Sequence, residues 1–343
     1  MTLPTVDLSR FTHGNDLERQ QVASELLGSL SHSGFVKLVG HGIQDQVVAK
    51  MFEWNKSFFQ MHERDKRSIA HPGGSAPQRG WSAVGAENSS SLYREGLLRT
   101  EMTKGLKDAR EHFDQGASGD LEYPNRWPDE CVIPGFRDFM ENAFTTLEGV
   151  ATQIMEVIEV AFDLPRGAMT TKITPQANAS EMRLLHYPAI DVREIMAGEV
   201  SRIWPHFDLG VITLLFQDAV GGLEIENRKQ PGTFTPVECG DLAEMVVNVS
   251  ETLQRWTNGS LPAGLHRVNI PRTLVGMESG TLPERFTVVY FCKADRAASV
   301  GPLKYFTHEG NEPVYEDISA IEYHRRRLQS AYISTGLDAG KFV

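Results

Sequence analysis

Two histidines and one carboxylate, spread over two segments, are the residues whose types suit a metal ion. His206 and Asp208 stand two positions apart in Trp204–Asp208, and His266 follows in Leu265–Val268. Residues at i and i+2 of an extended segment point to the same face, so His206 and Asp208 can reach one ion if they lie on a strand. Two imidazoles and a carboxylate leave coordination positions open, and non-haem Fe(II) sites use such positions to bind O2 and a chelating acid.

An arginine and a threonine share a face in the same way further along the chain. Arg285 and Thr287 stand two positions apart in Glu284–Thr287. A guanidinium can bind both oxygens of a carboxylate, and a neighbouring hydroxyl can donate a further hydrogen bond. The pair therefore predicts a site for the far carboxylate of a keto-acid cosubstrate.

None of these signals is specific when it stands alone. A His-x-Asp pair occurs by chance in many chains, a lone histidine such as His266 usually has a structural role, and Arg285 could form an ordinary salt bridge with Glu284. The order of all five residues favours the functional interpretation.

The composition is that of an ordinary globular protein with an acidic balance. The 343 residues are 41% hydrophobic and 23% charged, which is sufficient for a large core in one or two domains. The net charge of −11 argues against a nucleic acid or an anionic membrane as a partner.

Cysteine usage and the absence of long apolar runs predict the compartment. Cys131, Cys239 and Cys292 lie far apart without a Cys-x-x-Cys pair, which favours a reduced protein. The first residues have no segment of the kind found in signal peptides, and no apolar run approaches the ~18 residues of a membrane span. We expect a cytoplasmic location.

The elements that must position these residues change character along the chain. Apolar residues at helical spacing predict helices at about 16–33, 44–60, 134–163 and 317–331. Alternation predicts strands near 3–8, 34–39, 183–188, 211–216, 223–226, 234–237, 243–249, 266–270 and 286–291. Many short strands separated by turn residues indicate a sandwich or barrel. Because helices and strands come in blocks, the predicted class is α+β.

The stretch before residue 130 is the candidate for contacts to the substrate. From residue 71 to about 129 it is polar and irregular, yet it contains Tyr93, Phe113, Tyr123 and Trp127, which favours an ordered loop over the site. The candidate substrate residues here and in the β region are Arg79, Trp81, Arg183, Leu185, Trp204 and Phe216, and the C-terminal helix is a further candidate to line the pocket.

Several segments together resemble the isopenicillin-N-synthase-like family of Fe(II)/2-oxoglutarate-dependent dioxygenases. They are Ser33–Ile43, His206-x-Asp208, Gln217–Leu223, Gln254–Gly259, His266–Val268 and Arg285-x-Thr287, in the family's order. The segments Pro77–Ser82, Pro124–Glu130 and Leu253–Asn258 are similar to fungal members of secondary metabolism, such as the tropolone-forming ring-expansion dioxygenase.

The resemblance implies a double-stranded β-helix, or jelly-roll, core with flanking helices at both ends. It divides the chain into an N-terminal region, a scaffold helix, the jelly-roll core and a C-terminal helix with tail, at residues 1–130, 131–175, 176–310 and 311–343. It implies Fe(II), 2-oxoglutarate and O2 as cofactor and cosubstrates, with ascorbate as a stimulant. It also implies that Tyr187 bonds 2-oxoglutarate near the metal.

Four departures from the family pattern stand out. Thr287 replaces serine, Leu185 replaces an asparagine, Ser250–Glu251 replaces Gly-Asp, and Leu274–Pro283 is longer than expected. The threonine keeps the hydroxyl, the leucine removes one expected contact, and the other two changes predict an altered turn and an inserted loop. None removes a metal ligand.

The expected activity is oxidation of a small natural-product intermediate by hydroxylation, desaturation or radical rearrangement, with release of succinate and CO2. Three alternatives remain at this point. One is an Fe(II) oxidase of the same fold that does not use 2-oxoglutarate, and another is a non-catalytic jelly-roll binding protein. The third is a zinc hydrolase, since two histidines and a carboxylate also hold catalytic zinc.

Overall fold

The computed structural model describes residues 3–74, 76–87, 89 and 106–333, and for 328–333 only the backbone. The helices are α1 Ser9–His13, α2 Asp16–Ser33, α3 Asp45–Phe59, α4 Glu63–Ser68, α5 Phe136–Ala161, α6 Val192–Met196, α7 Glu251–Trp256 and α8 Ala320–Ile333. The strands before residue 190 are β1 Thr5–Asp7, β2 Phe35–Val39, β3 Gly80–Ser82, β4 Lys107–Asp108, β5 Glu111–Gln115 and β6 Glu181–Tyr187. The later strands are β7 Ile190–Asp191, β8 Val200–Ser201, β9 Ile203–His206, β10 Ile212–Gln217, β11 Leu223–Glu226, β12 Phe234–Pro236, β13 Met245–Val249, β14 His266–Val268, β15 Thr281–Leu282 and β16 Arg285–Cys292.

Two sheets form the β core and enclose a cavity. The larger sheet has the strand order β1-β2-β13-β10-β16-β6-β5-β3, and the smaller has the order β12-β11-β14-β9. The pairs within them are antiparallel except for the parallel pair β1–β2. Side chains of both sheets line one cavity between them. This is the expected jelly-roll core, flanked by helices at both ends of the chain, so the predicted α+β class is confirmed.

Strand β16 illustrates how the alternation of side chains divides the large sheet into two faces. Phe286, Val288 and Tyr290 point to the helical side and join the main hydrophobic core. Arg285 and Thr287 point the other way, into the cavity. Because side chains alternate along a strand, burial of the apolar set against the helices fixes the polar set on the cavity side.

The helices cover the outer face of the large sheet. A capping box between Asn15 and Glu18 starts α2, and Gly34 ends it in the left-handed conformation with φ 83°. The 26-residue helix α5 packs on β10 and β16, where the rings of Phe144 and Tyr290 meet edge to face at 5.2 Å between centroids. The long helices thus hold the sheet that carries the candidate residues.

The stretch predicted to be irregular contains two strands of the large sheet. Strands β3 and β5 add to the edge of the sheet next to β6, and all five residues of β5 are buried. Because Glu111, His112 and Asp114 of β5 are polar, this segment lacks the hydrophobic pattern that would predict a strand. Residues 88 and 90–105, and with them Tyr93, lie outside the described part of the chain.

Two further expectations concern the layout as a whole. The segment Leu274–Pro283, whose status as an inserted loop remains a prediction, contains β15, which pairs with β7. The four-region division of the chain remains a prediction. Among the described residues, no helix is long and apolar enough to cross a membrane.

Candidate active site

The three candidate metal ligands come together at the end of the cavity where β9 and β14 pair. His206 ends β9, Asp208 follows it, and His266 begins β14, where it stands opposite His206 in the register. One nitrogen of each histidine and one oxygen of Asp208 all lie within 4.8 Å of one another. His206 Nε2 is 3.7 Å from Asp208 Oδ1. The separation suits a single ion.

Each of the two histidines is oriented by a hydrogen bond on its far side. His206 Nδ1 lies 2.9 Å from the carbonyl oxygen of Trp204, and His266 Nδ1 lies 3.1 Å from that of Gly264. When each Nδ1–H donates to its carbonyl, the Nε2 lone pair is left for a metal. The pair therefore has the outer contacts that metal-binding histidines usually have.

The aspartate is held in a similar way by two neighbouring strands. Asp208 Oδ2 accepts hydrogen bonds from Thr213 Oγ1 at 2.6 Å and from Asn248 Nδ2 at 3.0 Å. Both donors use the same oxygen, so Oδ1 remains directed towards the histidines. Thr213 lies on β10 and Asn248 on β13, and the sequence pattern pointed to neither residue.

The electrostatics of the triad favour the protonation states that bind a cation. Burial, and then the neighbouring His266, lower the pKa of His206 to about 3, so its imidazole is neutral. Burial alone would raise the pKa of Asp208, but the two histidines and the bonds from Thr213 and Asn248 lower it. A neutral imidazole at His206 and an ionised carboxylate at Asp208 are the forms that coordinate a divalent metal.

Arg285 and Thr287 lie on β16 with their polar groups facing the same cavity. Each is 1% exposed. Arg285 Nη2 donates to Gln217 Oε1 at 3.0 Å, and its guanidinium lies 4.8 Å from the ring centre of Tyr187. Within the described residues, Nε and Nη1 of Arg285 and Oγ1 of Thr287 are buried without a hydrogen-bond partner. A buried cation beside a free hydroxyl fits a carboxylate ligand, because leaving both unpaired is costly.

Strand β6, which pairs with β16, carries two further candidate residues, Tyr187 and Leu185, beside Arg285 and Thr287. In the register, Tyr187 stands opposite Arg285, and Leu185 stands opposite Thr287. Both residues line the cavity. Asn55 of α3 donates to the backbone oxygens of Thr287 at 2.9 Å and of Leu185 at 3.4 Å, and so ties the two strands together.

The cavity itself is large and mostly apolar near the metal end. It has about 1040 Å³ of empty volume, including its mouth. The aliphatic and aromatic lining residues are Phe35, Leu185, Ile203, Phe207, Leu209, Leu215, Leu223, Val246, Val268, Val289 and Phe291. A largely apolar lining with a few polar groups is typical of a site for a small organic molecule.

A dense set of charged residues forms one wall of the cavity, which we call the charged wall. It consists of Glu87, Arg110, Glu181, Arg183 and Lys293. Arg183 bonds Glu87 at 3.0 Å, and Arg110 bonds it at 2.7 Å. Lys293 pairs with Glu181. Every charge of the wall is therefore compensated within the protein.

Acidic residues behind the charged wall complete the ion pairs. Asp114 accepts from Arg183 Nε at 2.7 Å, and Asp108 lies 3.3 Å from Arg110. Burial raises the pKa of Asp114 to about 6. Burial would also raise the pKa of Glu87, but Arg183 and Arg110 hold it well below its ordinary value.

The candidate substrate residues divide between the cavity and the protein interior. Arg183 and Leu185 line the cavity, whereas Arg79, Trp81, Trp204 and Phe216 do not. Arg79 lies behind the charged wall, where it binds Glu181 at 3.0 Å and Asp120 at 3.1 Å.

The other three residues lie away from the cavity for simple structural reasons. Trp81 donates to Glu111 at 2.7 Å on the helical side of β3 and β5. Trp204 Nε1 donates to the carbonyl oxygen of Lys107 at 3.1 Å. Phe216 lies in the main core against His41, because alternation along β10 turns it away from the side on which Thr213 and Leu215 face.

Comparison with known families identifies the class to which this site belongs. Residues 180–294 match the 2OG-Fe(II) oxygenase superfamily, and residues 3–130 match the family described as non-haem dioxygenase in morphine synthesis N-terminal. The match to the oxygenase superfamily covers all three residues of the triad, together with Arg285 and Thr287.

Close relatives extend the match over nearly the whole chain. The 2-oxoglutarate-dependent dioxygenase phqC of Penicillium fellutanum is 42% identical over 95% of this chain and 94% of its own length. The 2-oxoglutarate-dependent dioxygenase ucsF of an Acremonium species is 44% identical over 97% and 100%. The protein belongs to the family of 2-oxoglutarate-dependent dioxygenases.

Solved structures support the same conclusion. A full-length Neurospora crassa protein, solved in complex with alpha-KG and thymine, matches with a TM-score of 0.83 and 26% identity over 96% of this chain and 97% of that one. The protein is therefore an oxidoreductase whose cofactor is Fe(II) and whose cosubstrate is 2-oxoglutarate. The zinc hydrolase and the non-catalytic binding protein are not supported.

Proposed function

We propose that His206, Asp208 and His266 hold the Fe(II), and that Arg285, Thr287 and Tyr187 bind 2-oxoglutarate. The observation that carries the proposal is the set of buried donors without a partner on Arg285 and Thr287, beside a triad already oriented by outer hydrogen bonds. The C5 carboxylate of 2-oxoglutarate would supply the missing acceptors. An ordinary salt bridge of Arg285 is not supported, because no described acid pairs with it.

Fe(II) in this site supplies the chemistry that couples decarboxylation of 2-oxoglutarate, to succinate and CO2, with oxidation of the substrate. The protein contributes position and exclusion of water. Arg285 and Thr287 fix one end of the cosubstrate, and Gln217 and Tyr187 fix the guanidinium of Arg285. Thr213 and Asn248 keep one oxygen of Asp208 directed at the metal position.

The substrate that we propose is a small natural-product intermediate, oxidised by hydroxylation, desaturation or radical rearrangement. The apolar lining of the cavity supports a small organic molecule, and the similarity to fungal dioxygenases supports this class of metabolism. We also propose a cytoplasmic location, supported by three cysteines that are all free. Ascorbate remains an expected stimulant.

The test begins with anaerobic titration of the purified protein with Fe(II) and then 2-oxoglutarate, followed by the visible charge-transfer absorption of the complex. A substrate screen then measures succinate formed per substrate consumed, and product masses distinguish oxygen insertion from loss of two hydrogens. We expect one succinate per product. Substrate oxidation without succinate would identify the 2-oxoglutarate-independent oxidase instead. Absence of Fe(II) binding would contradict the assignment of the triad.

A further inference from the structure

Among the described side chains of the C-terminal helix α8, that of His324 lines the cavity. This residue is half-buried and lines the cavity on the side of the charged wall. In the described part of the chain, no residue forms a hydrogen bond with either of its ring nitrogens. A polar group that faces a largely apolar cavity without a partner is available to a ligand.

His324 is a neutral hydrogen-bonding group in this environment. Burial, and then the ammonium of Lys293, lower its pKa to about 3. Glu181 acts in the opposite direction, and Arg79 adds to the lowering. A neutral imidazole has one N–H donor and one acceptor nitrogen, so it can pair with an amide or a hydroxyl in either direction.

The charged wall beside His324 offers no free charge. Arg79, Arg110, Arg183 and Lys293 are matched by Glu87, Asp108, Asp114 and Glu181. Because the positive and negative side chains of this network balance, a charged substrate group of either sign would find no unpaired counter-ion. Such a group would introduce an uncompensated charge into a buried network, which is costly.

We propose that this end of the cavity binds an uncharged hydrogen-bonding group of the substrate, an amide or a hydroxyl, against His324. The apolar remainder of the substrate then packs on Phe207, Leu209 and Phe291, between this group and the metal. This inference rests on the proposed function, since it names the substrate class of the same site.

The position of His324 relative to the metal is fixed by Glu251. This carboxylate accepts from Tyr323 Oη at 2.5 Å and from Arg327 Nε and Nη2 at 3.1 and 2.8 Å. The backbone N–H of Glu251 donates to the carbonyl oxygen of Asp208 at 2.8 Å. Glu251 thus connects α8 to the segment that carries Asp208.

The experiment uses three probes of nearly the same shape and different charge: benzamide, benzoate and benzamidine. Each is titrated by calorimetry into the full-length protein saturated anaerobically with Fe(II) and 2-oxoglutarate, so that the carboxylate site is filled. We expect benzamide to bind at least about tenfold more tightly than either charged probe. His324→Ala should weaken benzamide binding about tenfold, which corresponds to one hydrogen bond.

Matched variants separate this role from a structural one. His324→Gln keeps a donor and an acceptor and should retain most of the benzamide affinity. His308→Ala removes an exposed histidine outside the cavity and should change nothing. The affinity for 2-oxoglutarate should be the same in all three variants.

Three results would overturn the inference. They are equal or tighter binding of benzoate or benzamidine, unchanged benzamide affinity in His324→Ala, and no benzamide binding even at millimolar concentrations. The benzamide titration is repeated on metal-free protein, where His324→Ala should again weaken binding, so that the inference is tested independently of the metal. Failure to bind Fe(II) or 2-oxoglutarate would contradict the proposed function instead, and that binding is measured separately by the charge-transfer absorption.

Discussion

The metal end and the charged wall face the same cavity but differ in how their cationic side chains are paired. At the metal end, Arg285 and Thr287 bury donors that have no described partner. In the charged wall, Arg110, Arg183 and Lys293 each contact at least one carboxylate. The difference shows where a ligand can supply a missing countercharge and where the protein already supplies it. The density of charged residues alone would have indicated the charged wall, and not Arg285 and Thr287, as the place where a carboxylate ligand binds.

The largest effect is expected from removal of a metal ligand. His206→Ala leaves two ligands, so Fe(II) binding should be lost and 2-oxoglutarate turnover should fall by roughly a thousandfold or more. Anaerobic Fe(II) titration and succinate release measure both. His62→Ala, at an exposed position, is the control and should behave as the wild type. Full iron binding by His206→Ala would contradict the assignment of His206 as a metal ligand, and with it the assignment of this end of the cavity as the metal site.

The second largest effect is expected from removal of the Arg285 guanidinium, which has no carboxylate partner among the described residues. Arg285→Leu deletes the donors that await a carboxylate, so we expect a loss of roughly a hundredfold in 2-oxoglutarate affinity with Fe(II) affinity retained. Arg267→Leu, on β14, removes an arginine already paired with Glu224 and should leave the affinity unchanged. Similar behaviour of the two variants would show that the missing partners of Arg285 have no functional meaning.

We expect substitution of a charged-wall residue to lower the free energy of unfolding and to leave the affinity for 2-oxoglutarate unchanged. Burial would raise the pKa of Glu181, but Lys293 and then Arg79 lower it to about 2, below its ordinary 4.5. The ionised pair therefore stabilises the fold by about 3 kcal/mol above pH 5, and this is lost as the pH falls from 4.5 towards 2.

Urea unfolding at several pH values tests that expectation. The wild type should exceed Glu181→Gln most at neutral pH, and the difference should shrink by about pH 3.5. Charge-transfer titration should give both proteins the same affinity for 2-oxoglutarate. A difference in stability that does not vary with pH would contradict the assigned pKa.

The smallest effect is expected at the hydrogen bonds that orient the aspartate. Thr213→Val removes the 2.6 Å donor to Asp208 while keeping the shape of the side chain. We expect Fe(II) affinity to fall by about tenfold, as for other partners of metal ligands. Thr235→Val, on the smaller sheet and outside the cavity, is the matched control. An unchanged iron affinity would mean that Asn248 alone orients the carboxylate.

The same contrast explains what the sequence could predict. His206-x-Asp208 and Arg285-x-Thr287 are short patterns whose spacing predicts a shared face, and the structure brings both of them, with His266, to one cavity. Glu87, Arg110, Lys293 and His324 come from four distant segments, so no local pattern links them. Only the packing of β5 beside β6 and of α8 across the cavity brings them together.

Two of the candidate substrate residues lie outside the cavity because their strands direct their side chains to the opposite face of the sheet. Phe216 and Trp81 are large and apolar, which suits a pocket as well as a core. The register of β10 and of β3 assigns both to the helical side. A shift by one residue would reverse each direction, and composition does not determine that register.

The two hydrogen bonds from Asn55 bear on how this enzyme can be engineered. They join a helix of the N-terminal region to the backbone of both strands that carry the cosubstrate residues. A chimera that takes residues 1–60 from a relative would therefore import the support of the carboxylate site together with the new segment. Exchange of substrate preference between relatives is better attempted from the other end, by grafting α8 together with its Glu251 partner.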